Sequence, residues 1–185
     1  MGKVGRLTLS GTPEQTKALR PFAKRVRKII GDRIDPVVVT VLPRASMPLY
    51  RDPRPGDGPT DGRAEGYWRG NARKILLADD LFDGTAGPLD ETLGHEIIHV
   101  LFDDWIMPEQ RRQLLPLLHP EPVNWSDTMV NGVDKGYPAI PEECVCVWGS
   151  AALFGFDPPA YDKLYKRRFV EADYAEVARI LLDEY

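Results

Sequence analysis

Pro88-Leu89-Asp90-Glu91-Thr92-Leu93-Gly94-His95-Glu96-Ile97-Ile98-His99-Val100-Leu101-Phe102 reads as a helix that is apolar nearly all round and yet carries two imidazoles and a carboxylate. Pro88 is pre-set for a first turn, and Asp90 and Glu91 stand near the positive end of the helix dipole. Leu89, Leu93, Ile97, Val100 and Leu101 form one apolar stripe and Ile98 with Phe102 a second, so the helix is expected to be buried. A buried polar group without a partner costs on the order of 1 to 3 kcal/mol, so His95, Glu96 and His99 need partners. A metal ion would supply one. Residues four apart on a helix lie on one face about 6 Å apart, which lets His95 and His99 offer ring nitrogens to a single ion. Glu96 is about 100° round from His95, placed to reach a water on that ion rather than the ion itself. Two of the chain's 3 histidines stand here.

Around this helix, 185 residues that are 43% hydrophobic and 28% charged suffice for one sizeable core and predict a single domain over 1–185. Residues 1–86 read as mainly sheet with an N-terminal helix, and 87–185 as mainly helical. A net charge of -4 argues against a nucleic-acid partner, and the basic run Arg20 to Lys28 reads as the wet face of a helix. No stretch approaches the ~20 apolar residues of a membrane span, and Met1-Gly2-Lys3-Val4-Gly5-Arg6 lacks the apolar segment of a signal peptide. No membrane partner and a cytoplasmic location are therefore expected. Cys144 and Cys146 are spaced poorly for a disulfide, in keeping with a reducing compartment.

Along the chain, Val4 to Leu9 alternates like a short strand. Thr12-Pro13-Glu14-Gln15 then provides an N-cap, a first-turn proline and early acid for a helix to about Ile30, which Pro21 would kink or split and Gly31 would stop. Pro36 to Leu42 is a β-branched run ended by Pro43 and reads as a buried strand. Pro43 to Gly66 is an aperiodic loop. Gly66-Tyr67-Trp68-Arg69 and Lys74-Ile75-Leu76-Leu77-Ala78 read as two adjacent strands or a hairpin, with Gly70-Asn71 as the turn. Further helices are expected at 108–118, 141–154, 159–169 and 174–182.

A metal on His95 and His99 requires a third protein ligand, with one position left for water. Asp103 lies too far, because at 1.5 Å per residue its Cα is about 12 Å along the axis from that of His95. It reads as a helix-end group or an outer partner. His119 is the remaining histidine, and it serves equally well as a C-terminal helix residue facing the dipole. Glu142 and Glu143 open the segment Pro141-Glu142-Glu143-Cys144-Val145-Cys146-Val147-Trp148, where they can be ligands or dipole complements. Cys144 and Cys146 lie about 200° apart on that helix and cannot both face one ion, so they read as small buried hydrophobes.

With these residues in view, the chain resembles the gluzincin metallopeptidases, in which a His-Glu-x-x-His helix is completed by a glutamate on a second helix downstream. It is most similar to the branch of the anthrax lethal factor protease domain, whose pattern places a tyrosine about seven residues before the ligand, here Tyr137, Pro141 and Glu143. The resemblance covers about Ile75 to Phe154 and departs from the pattern at Cys144-Val145-Cys146. It implies an α+β, zincin-like fold: a small mixed sheet whose edge strand lies over a buried active-site helix, followed by a helical C-terminal half. It also implies Zn2+ on His95, His99 and Glu143, with Glu96 as general base and Tyr137 as oxyanion donor. The expected activity is hydrolysis of a peptide or protein substrate laid along the edge strand. The alternative is a zincin-like module that keeps its metal for binding or regulation without turnover. Retention of Glu96 speaks for catalysis, since a structural site needs ligands and not a base.

Overall fold

A computed structural model describes residues 2–49, 63–85, 87–118, 129–130, 133–134, 139–156 and 171–183. The chain opens with β1 (Gly2–Val4) and β2 (Leu7–Ser10), an antiparallel hairpin where the alternating sequence suggested one strand. Gly5, with φ +58, makes the reversal possible by entering the left-handed region that residues with a Cβ avoid. Helix α1 (Pro13–Ile29) follows, and its start is a reciprocal cap. The Gln15 amide donates to Thr12 Oγ1 at 3.2 Å, and the Thr12 amide donates to Gln15 Oε1 at 2.8 Å. The helix runs through Pro21 unbroken. The proline lies on the exposed side, while Leu19, Phe22, Ala23 and Val26 anchor the helix to the core before and after it. Arg20, Lys24, Arg25, Arg27 and Lys28 are exposed, as the wet-face reading requires.

Strands β3 (Val37–Leu42), β4 (Gly66–Arg69) and β5 (Lys74–Ala78) complete a mixed sheet in the order β1-β2-β3-β5-β4. Its centre, β2, β3 and β5, is parallel, and both edge strands are antiparallel. Leu7 pairs with Val37, Leu9 with Val39 and Val39 with Ile75, so the buried side chains of the three central strands share one face. The helices cover that face. On the opposite face Met47 and Ala64 cluster with Ala78 of β5, with Leu42 and Leu76 packed beside them.

The reversal between β4 and β5 is longer than Gly70-Asn71. A 3₁₀ turn covers Gly70–Ala72, and Arg73 then adopts φ 51. For a residue with a long side chain that conformation is strained, and the tertiary structure holds it. The Arg73 guanidinium makes a bidentate pair with Asp104 at 2.5 and 2.6 Å and lies 5.2 Å from the centre of the Trp68 ring. The hydrogen bonds to Asp104 raise the pKa of Arg73 above its ordinary value.

The second half of the described chain is helical: α2 (Leu89–Asp104), α3 (Pro108–Leu118), α4 (Ala139–Phe154) and α5 (Glu171–Leu182). Two of these begin ahead of the sequence reading, α4 at Ala139 instead of Pro141 and α5 at Glu171 instead of Tyr174. For α4 the physical reason is that a first-turn proline lacks an N–H that would be unpaired there anyway, so Pro141 does not have to mark the first residue. A two-stranded pair, β6 (Met129–Val130) and β7 (Val133–Asp134), gave no signal in the sequence reading. The helix expected over 159–169 lies outside the described residues.

One continuous core joins the sheet to the helices. Helix α2 packs against β4 and β5 on one side and α4 on another, and α5 packs on α4. Phe154 closes the far end against Phe22 of α1, with ring centres 4.9 Å apart. Gln110, only 1% exposed, donates to the Ile180 carbonyl at 2.8 Å and so ties α3 to α5. The expectation of a mixed α/β chain with a small mixed sheet is met. No helix among the described residues is long and apolar enough to cross a membrane.

Candidate metal centre

Helix α2 is buried as its composition requires. Leu93, Gly94, Ile97, Ile98, Val100, Leu101 and Phe102 are all inside, and Glu96 is only 7% exposed. His95 and His99 stand one turn apart with ring centres 5.0 Å apart and ring planes at 70°. The hydrophobic stripes fix the helix on its axis, and the remaining side presents the two imidazoles together.

The sheet reaches this helix through its edge. Among the described residues no further strand pairs with β4, and its glycine passes directly over Glu96. A Cβ placed on Gly66 would lie 2.7 Å from Thr92 Cγ2 and 2.9 Å from both Cγ and Oε1 of Glu96. Real Cβ atoms do not come that close to other heavy atoms, so only glycine lets the strand approach the carboxylate in this way. Two residues on, the Trp68 indole donates to Asp103 Oδ2 at 2.7 Å. Asp103 thus tethers the edge strand to the end of α2, which agrees with reading it as an outer group rather than a ligand.

The side of α2 toward α4 is built from small residues and rings. A Cβ on Gly94 would meet the Phe156 ring at 2.6 Å and the Phe154 ring at 3.3 Å. On α4, a Cβ on Gly149 would lie 3.2 Å from Ile98 Cγ2 and 3.0 Å from Leu181 Cδ1. As numbers rise along α2 from Gly94 to Ile98 they fall along α4 from Phe154 to Gly149, so the two helices run antiparallel. This close packing brings the Cys146 thiol to the histidines. One donor atom each from His95, His99 and Cys146 all lie within 4.8 Å of one another. Cys146 is fully buried, as a small hydrophobe would be, and its sulfur also lies near the two imidazoles.

Of the residues singled out in the sequence, His95, Glu96 and His99 are therefore brought together. The backbone of Glu143 lies in α4, one turn before Cys146, while the side chains of Glu142, Glu143 and Cys144 lie outside the described residues, as do Tyr137 and His119. Gly66 and Cys146 were missed. Each had a faint signal: a glycine opening a strand, and a cysteine three residues before a glycine on an apolar helix, a spacing that marks a face of close helix contact.

The donor set fits a borderline-soft divalent ion. Two imidazoles and a thiol are the nitrogen and sulfur ligands that zinc and its first-row neighbours accept, whereas Mg2+ and Ca2+ take oxygen. Comparisons with known protein families, with curated proteins and with solved structures found no match to this chain.

Proposed function

We propose that this protein is a zinc-dependent metallopeptidase, with Glu96 as its general base. The observation that carries the reading is the buried Glu96 beside His95 and His99 on one helix, directly beneath the sheet's edge strand. A carboxylate is rarely left in such a place without a task, and a site meant only to hold metal needs no base beside its ligands.

His95 and His99 hold the ion from α2, and α4 supplies the third donor, a part that the resemblance gives to Glu143. A bound zinc ion supplies Lewis acidity, lowering the pKa of a water and polarising a peptide carbonyl. Glu96 takes the proton that the water loses and returns it to the leaving amine, so one carboxylate acts first as base and then as acid. Glu96 is buried beneath β4, where the absence of a Cβ at Gly66 leaves space for its carboxylate. The outer edge of β4 offers main-chain groups to an extended peptide, which would lie over the base as an added strand. Tyr137 is the hydroxyl that the resemblance assigns to the oxyanion.

The test is cleavage of an unstructured protein substrate by purified protein of known metal content. Chelation is expected to abolish cleavage and one equivalent of Zn2+ to restore it. Cleavage that survives complete removal of metal overturns the proposal, and so does a zinc-loaded protein that cleaves nothing.

A further inference from the structure

Cys146 lies where the chain departs from the pattern it resembles, and among the described residues it is the α4 residue whose donor atom lies near the histidine pair. We infer that Cys146 is itself a metal ligand, its sulfur bonded to the same ion as His95 and His99 in the α4 place that the resemblance gives to Glu143, with the fourth position left to water. The inference rests on the metal-binding half of the proposed function and adds to it the chemistry of the centre.

Two observations carry it. The donor atoms of His95, His99 and Cys146 lie within 4.8 Å of one another, and in a tetrahedral shell with bonds of about 2.0 to 2.3 Å neighbouring donors end up roughly 3.5 Å apart. Small side-chain rotations close that difference. Cys146 and Trp148 are fully buried, and Gly149 permits α4 to press against Ile98 of α2, so the sulfur is held toward the histidines by packing on both sides. The thiol can also supply the charge that the pattern's carboxylate would bring. As the sulfur–metal bond forms the thiol gives its proton to solvent, and the resulting thiolate carries one negative charge, as a carboxylate does.

A thiolate makes the centre softer than one of imidazole and carboxylate alone. It favours zinc, cobalt and cadmium over magnesium, calcium and manganese. It also gives the metal a direct optical signature, independent of turnover.

Metal-free protein titrated with Co2+ alone tests this. The unmodified protein is expected to show the visible bands of tetrahedral cobalt together with a thiolate-to-cobalt charge-transfer band in the near ultraviolet, both saturating at one equivalent. In Cys146→Ser and Cys146→Ala the charge-transfer band should vanish and the visible bands weaken. Their Co2+ affinity should fall at least about tenfold, the lower bound set by losing even an outer partner of a ligand. X-ray absorption of the zinc-loaded unmodified protein needs no variant and should show a sulfur neighbour at about 2.3 Å. Visible bands without charge transfer, a charge-transfer band that survives both substitutions, or a zinc shell without sulfur each overturns the assignment of Cys146 and leaves the metallopeptidase reading standing. Failure of the unmodified protein to bind Co2+ or Zn2+ removes both.

Discussion

The two flanks of α2 are made in different ways. On the strand side the edge of the sheet adds polar, directional contacts, the Trp68 indole on Asp103 and Arg73 clamped on Asp104, beside the close approach of Gly66 to Glu96. On the α4 side they are apolar and steric, with Gly149 against Ile98 and the Phe154 and Phe156 rings against Gly94. A polar flank fixes where a carboxylate points, because hydrogen bonds and close backbone approach have preferred directions. An apolar flank fixes how near two helices come, because packing density sets separation. Glu96 lies against the first flank, and the donor atoms of His95, His99 and Cys146 meet across the second.

The comparison breaks most visibly at Glu96. Glu96→Gln is expected to keep the fold and the metal and to lose roughly 10² to 10⁴-fold in peptide cleavage, the usual worth of a positioned proton-transfer group. Metal content and cleavage rate, measured on one preparation, check it. Unchanged cleavage would remove Glu96 from the chemistry.

Gly66→Ala probes the same flank from the strand. The new methyl falls within 3 Å of Thr92 and Glu96, so the edge strand must lift or the carboxylate must turn. A stability loss of about 1 to 3 kcal/mol in urea unfolding is expected, together with slower cleavage at undiminished metal content. If the variant is as stable and as active as the parent, the strand is not pressed against the base.

Arg73 offers a smaller effect with an internal control. Arg73→Ala loses the pair with Asp104 while keeping a Cβ at φ 51. Arg73→Gly loses the same pair but relaxes the backbone, so it should be the more stable of the two by about 1 kcal/mol. The ion pair itself is worth about 1 kcal/mol after allowance for solvent screening, since the Arg73 side chain is 34% exposed. Equal thermal midpoints for the two variants would show that the left-handed conformation stores no strain.

The smallest change is expected for Trp68→Phe, which keeps an aromatic ring beside Arg73 and deletes the donor to Asp103. A loss of about 1 kcal/mol and a higher KM with little change in kcat would report a looser edge strand. A fall in kcat alone, with KM and stability unchanged, would contradict a tethering role for Trp68.

Much of this arrangement was legible before any coordinates. The stripes Leu89-Leu93-Ile97 and Ile98-Phe102 announced a buried helix, and the spacing of His95 and His99 put two imidazoles on one face. The run Pro36 to Leu42 marked a buried strand, and Gly66 to Ala78 an adjacent pair. The hairpin at Gly5 was hidden because alternation alone does not reveal a reversal. Pro21 suggested a break that core contacts on either side overrode. The left-handed Arg73 was invisible, since nothing local favours it and its compensation comes from Asp104, 31 residues away in sequence.

By itself the sequence determined the helix, its burial and its complement of His95, Glu96 and His99, because periodicity and spacing along one element are local properties. Only the tertiary structure decided which neighbours that helix has. It brought Gly66 across Glu96 and turned the Cys146 sulfur toward the histidines. Those contacts depend on how separate elements stack, and packing between elements distant in sequence follows from the shape of the whole core rather than from any one stretch of it.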